Sequence, residues 1–377
     1  MMLLCFIENN IDFFAFFKYS FFIMKTQGKI KLANLTTIKL GGEANQFVEC
    51  ISSKDILDAL KYAKENNLKI WILGGGSNTI FPDKGFNGLV IKVKLKGMEF
   101  KGSGDSVIAT AGAGENWDEF VSFCTRKGLA GIEALSGIPG NVGAAPIQNI
   151  GAYGAEVGDT ISCVKAIDRE TLEEVEFAND ECMFKYRNSR FKKADKDRYI
   201  IISVEFRLIK EGVPIIRYPQ LQKQVAEKFG DELGSGGEAI RAVREIVLKL
   251  RKNKSMVVDN DDPNSQSCGS FFTNPILSHD EFRLLEQKFR AADGEGEIPT
   301  FPAEDEDVKV PAAWLIEQAG FEKGFKHKGA GISEKHTLAL VNYGGKTSDI
   351  LELADLIQNK VLQKFGVELE KEPVVVE

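Results

Sequence analysis

The chain has 377 residues, of which 43% are hydrophobic and 27% charged, with a net charge of −7. These values fit an ordinary globular protein of two or three domains and lack the basic footprint of a nucleic-acid binder. The six cysteines include no C-x-x-C pair, and His279, His327 and His336 all fall in the last hundred or so residues, so a disulfide framework, a zinc site and a Ser-His-Asp triad have little to build on.

Residues 1–23, "MMLLCFIENNIDFFAFFKYSFFI", are rich in Phe but broken by Glu8, Asp12 and Lys18. The run is too interrupted for a spanning helix and lacks the basic start and small-residue cleavage site of a signal peptide. It reads as a leader outside the folded protein, with ordinary sequence from Met24. Strand and helix then alternate to residue 100. "QFVECI" reads as a strand, and Ser53 is expected to cap a helix with Ile56, Leu57, Leu60 and Ala63 on one face. The apolar run Ile70 to Leu73 reads as a buried strand and leads into Gly74, Gly75, Gly76, Ser77 and Asn78, followed by the strand "GLVIKV".

Three glycines let backbone N–H groups converge on one point, as a phosphate requires. The spelling fits neither a P-loop nor a Rossmann fingerprint, and Pro82 opposes a helix in that register. Residues 101–261 form a second unit. "SVIATAGAG" reads as a strand and turn, "NWDEFVSFCTRKG" as a helix stopped by Gly128, "ISCVKAID" and "RYIIISVEFRLI" as strands, and residues 238–252 as a longer helix. Within this unit "SGIPGNVGAAPIQNIGAYGAE" is almost free of side-chain bulk, a composition suited to a backbone pressed against a ligand. Two such loops on successive units suggest one extended dinucleotide.

The third unit, residues 262–363, contains "PAAWLIEQAG", a helix closed by Gly320, and "TLALVNY", a strand. The acidic stretch "DGEGEIPTFPAEDEDVKV" is expected to be a solvated excursion. A helix near 348–365 places Ile350, Leu353, Ile357 and Val361 on one face, and residues 364–377 end in strand-like sequence. Candidate chemistry lies in "FKYRNSRFK", which groups Tyr186, Arg187, Arg190 and Lys192, and in "CGSFFTNP", which sets Ser270 before two phenylalanines. A hydroxyl in a water-poor wall can deliver a proton.

In order and spacing, "TTIKLGGEA", "LGGGSN", "GIPGNVGAAPIQNIGAYG", "YRNSRFK", "GSFFTNP", "AAWLIEQAG" and the final "LEKE" resemble the UDP-N-acetylenolpyruvoylglucosamine reductase family. The resemblance runs from about Asn34 to the C-terminus. It implies an α+β fold: a two-part FAD-binding unit of the vanillyl-alcohol-oxidase type plus a smaller α/β substrate-binding domain. It implies FAD as cofactor, NADPH as reductant, UDP-N-acetylglucosamine enolpyruvate as substrate, and a cytoplasmic monomer with no metal and no stable membrane association.

Residue by residue, Arg187, Ser270 and Glu372 match the family's catalytic arginine, proton-donating serine and glutamate. Gly74, Gly75, Gly76, Ser77 and Asn78 match the first flavin loop. The second flavin loop is matched by Gly137, Ile138, Pro139 and Gly140, then by Gly143, Ala144 and Gly151. Tyr186, Tyr218, Lys254, Asn274 and Gln318 fall where substrate binds, and Tyr218 suggests the subtype that closes a tyrosine-bearing loop. Three positions depart from the family pattern: Asn141 for Thr, Asn188 for Asp after the arginine, and Cys268 for Ala. An alcohol oxidase of the same FAD fold would want a flavin-tethering His near a glycine loop, and a non-catalytic nucleotide-sugar binder would not need Ser270.

Overall fold

The computed structural model describes residues 26–230, 233–303 and 306–377, so the leader expected at residues 1–23 lies outside the described residues. Strands Glu43–Cys50, Phe86–Val93 and Ile70–Leu73 run parallel in that spatial order, with Ile30–Lys31 antiparallel at the edge. Helix α1, Ser53–Glu65, makes the crossover. It buries Ile56, Ala59, Leu60 and Ala63 against Cys50, Leu89 and Ile91, as the apolar spacing requires. The cap is Ser52 rather than the expected Ser53. Ser52 Oγ accepts the Asp55 N–H at 3.2 Å and Asp55 Oδ2 accepts the Ser52 N–H at 3.0 Å. The acid three residues on selects the earlier serine, because only that spacing closes a capping box.

The second unit is an antiparallel sheet. Tyr199–Lys210 lies between Ile161–Asp168 and Ser106–Gly112, with Glu174–Ala178 and Met98–Ser103 at the edges. Helix α2, Trp117–Arg126, is capped by Asn116, whose Oδ1 accepts the Glu119 N–H at 3.0 Å. Helices α3, Pro219–Phe229, and α4, Gly237–Asn253, pack together through Leu221, Val225, Val243 and Val247. Trp117, Phe120 and Phe206 fill a core continuous with the α1 face of the first sheet.

In the third unit, Ser267–Ser270, Ala339–Asn342, Ala330–Ile332 and Lys326–His327 form an antiparallel sheet. Its core is closed by α5, His279–Ala291, α6, Ala312–Gln318, and α7, Thr347–Phe365. Helix α7 buries Ile350, Leu353, Ile357 and Val361 on the face read from the sequence. The acidic stretch is not wholly a solvated excursion. Phe301–Pro302 and Val308–Lys309 form a ribbon with Ile276–Leu277, because the apolar Phe301 and Val308 are half-buried, Phe301 against Tyr218 and Val308 against the third unit's core.

The C-terminal segment is extended over less of its length than expected. Val374–Val375 pairs in parallel with Thr79–Ile80, and Lys371 bridges Phe272. Pro373, which has no N–H to donate, separates the two contacts. Helices and mixed sheets together make the fold α+β. Among the described residues no helix is long and apolar enough to cross a membrane.

Candidate active site

The two glycine loops meet backbone to backbone. A Cβ on Gly75 would lie 2.5 Å from Gly140 Cα, and one on Gly76, whose φ is +70°, would lie 2.0 Å from the Leu35 carbonyl oxygen. Only glycine fits both places. Ser77 Oγ donates to the Pro139 carbonyl at 3.0 Å and stitches the loops together, while Lys92 Nζ donates to the Gly74 carbonyl from behind.

Between the loops and the third unit runs a cleft of about 360 Å³. Every cofactor residue expected from the sequence lines it except Gly137. Gly137 instead donates its N–H to Asp118 Oδ1 at 2.6 Å, on a carboxylate also gripped by Arg244 at 2.6 and 2.9 Å. Trp71 lines the cleft with a buried indole N–H that has no partner. The wall therefore offers a side-chain-free cradle and an unused donor, both suited to a phosphate-bearing cofactor.

Arg187, Ser270 and Glu372 line the same cleft. Arg187 Nε lies 3.3 Å from Glu372 Oε1. The arginine adopts φ +50°, a left-handed conformation costing on the order of 1–2 kcal/mol for a side-chain-bearing residue. A tight turn holds the backbone there, closed by the Asn188 N–H donating to the Lys185 carbonyl at 3.0 Å. The guanidinium is fixed separately: Nη2 donates to the Gly151 carbonyl at 2.6 Å and Nη1 to the Asn149 carbonyl at 3.4 Å. Asn188, which departs from the family pattern, accepts the Ser189 N–H at 2.9 Å through Oδ1.

Glu372 is tied to all three units. Its N–H donates to the Phe271 carbonyl at 2.9 Å, and its carbonyl accepts from Asn78 Nδ2 at 3.2 Å. Its Oε1 accepts from Gln148 Nε2 at 3.4 Å. Burial raises the Glu372 pKa, and Arg187 and Lys192 draw it back only in part. A buried carboxyl biased toward its acid form thus faces a fixed cation. Ser270 ends its strand one residue before Phe271, whose N–H donates to the Leu338 carbonyl at 2.7 Å.

The expected substrate residues divide. Tyr186 backs the corner: the Arg187 guanidinium carbon sits 5.2 Å and Lys309 Nζ 4.4 Å from its ring centroid. Its hydroxyl accepts the Asn274 N–H at 3.4 Å. Asn274 Oδ1 accepts the Ala312 N–H at 2.9 Å at the start of α6, and the Gln318 carbonyl accepts Lys364 Nζ at 2.6 Å. Tyr218 and Lys254 join a group around Tyr153. Tyr218 meets that ring edge-on at 5.7 Å and stacks on Phe301 at 6.3 Å, while Lys254 Nζ lies 5.9 Å from the Tyr153 centroid and donates to Gln220 Oε1 at 2.8 Å. Tyr186, Tyr218, Lys254, Asn274 and Gln318 are absent from the cleft lining itself.

Sequence reasoning missed Lys309 and Arg251. Lys309 is a lone cation among acids, which is the signal that marks it. Arg251 sits in an ordinary-looking basic helix end and offers no signal. No group of His, Cys, Asp and Glu able to hold a metal occurs among the described residues.

Comparison with known proteins accords with this geometry. Residues 261–376 match the family model for the C-terminal domain of UDP-N-acetylenolpyruvoylglucosamine reductase, and residues 44–171 match an FAD binding domain. The chain is 42% identical over 351 residues to the UDP-N-acetylenolpyruvoylglucosamine reductase of Thermobifida fusca, covering 92% of this chain and 97% of the relative. It is 41% identical over 354 residues to that of Mycolicibacterium smegmatis, covering 92% and 94%. The solved structure of the Thermus caldophilus reductase superposes with a TM-score of 0.64 at 23% identity, over 94% of this chain and 100% of the other, and shows the shared fold.

Proposed function

The chain belongs to the UDP-N-acetylenolpyruvoylglucosamine reductase family, and from that premise we propose how its residues act. The protein reduces UDP-N-acetylglucosamine enolpyruvate to UDP-N-acetylmuramate, with NADPH as reductant, in the synthesis of peptidoglycan precursors. The observation that carries this reading is the Arg187–Glu372 pair, set with Ser270 in the glycine-lined cleft. The residues present suit FAD, which would rest on Gly74 to Asn78 and on the loop from Ile138 to Gly151. FAD, when bound, carries the hydride from one substrate to the other.

The remaining work falls to side chains. Hydride adds to the vinyl methylene carbon of the substrate, so negative charge develops on the neighbouring carbon and spreads into its carboxylate. Arg187, cationic at every working pH, and Glu372 in its acid form stabilise that charge. Ser270 then donates its hydroxyl proton to the carbon and completes the lactyl ether. A hydroxyl is a weak acid, so it must be held in position to donate. Tyr186, Tyr218, Lys254, Asn274 and Gln318 form the nucleotide-sugar side of the site, and Tyr218 closes on the substrate. The enzyme works as a cytoplasmic monomer.

An anaerobic visible spectrum tests the reading. Flavin absorbance should bleach with NADPH and return when the enolpyruvyl nucleotide sugar is added. Bleaching without return refutes the assigned substrate. A protein that cannot be loaded with FAD refutes the cofactor.

A further inference from the structure

Arg251, near the end of α4, is the most buried cation of the cleft wall. It is 8% exposed and lines the cleft with Ile138, Gly269 and Ser270. One donor is used: Nη2 donates to the Met256 carbonyl at 2.7 Å. Its Nε is buried without any partner. Among the described residues no carboxylate forms an ion pair with it. Asp118 is the acidic group in its field, and that carboxylate is already engaged by both Arg244 nitrogens and the Gly137 N–H. The other groups in its field are the neutral Tyr153 phenol, the cationic Arg187 and Lys254, and His336, which burial keeps neutral. A buried guanidinium cannot shed its proton to escape this position, so its charge is left without an ion-pair partner of its own, with only the shared Asp118 carboxylate in its field.

We propose that Arg251 is held as an unpaired cation to receive a negatively charged group of the bound dinucleotide, and so acts as a positioning residue beyond the catalytic trio. The inference rests on FAD as the occupant of the cleft. Two parts of that molecule could present the charge. One is the diphosphate, which is always anionic. The other is the pyrimidine edge of the flavin ring, since hydride transfer from NADPH brings two electrons and one proton and leaves the ring with one added negative charge. The first would use Arg251 for affinity, the second for reduction potential.

Two neutral variants and one rescue provide the test. Arg251→Gln removes the charge and keeps a donor for the Met256 carbonyl, Arg251→Met removes both, and Arg251→Lys keeps the charge. Each cofactor-free protein is titrated with FAD and separately with ADP, and the midpoint potential of each loaded protein is measured. The wild-type titration checks FAD itself, so failure of the cofactor and failure of Arg251 are distinguishable.

In the neutral variants we expect FAD binding at least tenfold weaker, or a midpoint potential lower by about 30 mV, the equivalent of tenfold for a two-electron couple. Arg251→Lys should recover much of either loss. Weakened ADP binding with an unmoved potential identifies the diphosphate. Unchanged ADP binding with a lowered potential identifies the ring. Cofactor-free Arg251→Met should melt no lower than wild type, because a buried unpaired charge is gone. Neutral variants that melt lower yet match the wild type in FAD affinity, ADP affinity and potential would make Arg251 a structural tie to Met256 and overturn the proposal. If one neutral variant fails to fold, the same measurements on the other distinguish the same outcomes.

Discussion

The cleft has two ends built on opposite plans. The glycine cradle is made of backbone: Gly75 lies against Gly140, Gly76 under the Leu35 carbonyl, and Ser77 on Pro139. The corner at Arg187 is made of side chains drawn from three units and held by contacts to carbonyls. The cradle should therefore be intolerant of a methyl group. The corner should be the reverse, keeping its fold when a functional group is removed while losing its chemistry.

The largest effect expected is at the cradle. Gly75→Ala puts a Cβ on rigid backbone, at a cost of roughly 3 kcal/mol in overpacking or displacement of one loop from the other. FAD affinity measured by titration should collapse, and wild-type affinity in this variant would break the contrast. Next comes Ser270→Ala at the corner. The melting temperature and reduction by NADPH should persist, while reoxidation by the enolpyruvyl substrate in stopped flow slows by about 10²- to 10⁴-fold. Undiminished reoxidation removes Ser270 from the proposed chemistry.

Glu372→Gln sharpens the contrast through pH. Because burial raises the Glu372 pKa above its unfolded value, its contribution to stability is complete below the unfolded pKa and is lost as pH rises through the folded one. The same rise ionises the acid form that the chemistry uses. Turnover in the wild type should fall over that window, and the alkaline fall should be absent from Glu372→Gln, whose overall rate is lower. An identical pH profile in the two proteins would count against the acid form of Glu372. Smallest is Ser52→Ala, far from both ends, which should cost about 1 kcal/mol in chemical denaturation and leave affinity and turnover unchanged.

The same contrast explains how much of the molecule is legible in its sequence. The cradle is legible because its demand falls on consecutive residues: a run of glycines after an apolar strand states its own geometry. The α1 and α7 faces are legible for the same local reason, through the spacing of Ile56 and Leu60 and of Ile350, Leu353 and Ile357. That Arg187, Ser270 and Glu372 act together emerges only through the family resemblance, since nothing in a single stretch says that residues so far apart share one corner. The left-handed backbone at Arg187 has no spelling, because the turn closed between Lys185 and Asn188 carries no glycine at that position. The choice of Ser52 over Ser53 is written in the position of Asp55, although either serine alone looks like a cap. Lys309 is marked as a lone cation, but its place over Tyr186 is not, because an acidic, Pro-containing stretch looks solvated until Phe301 and Val308 are seen to anchor it.

The pairing of Val374–Val375 with Thr79–Ile80 has a kinetic meaning. It closes a loop of nearly three hundred residues, and closure over such a length is slow compared with formation of the sheets it joins. That closure brings Glu372 beside Asn78, completing a position that its N–H contact to the Phe271 carbonyl only begins to fix. During refolding the glycine cradle should mature first, so flavin should be captured before the carboxyl arrives. Recovery of bound-flavin fluorescence ahead of recovery of turnover would mark a transient species that holds its cofactor and cannot yet complete the reaction.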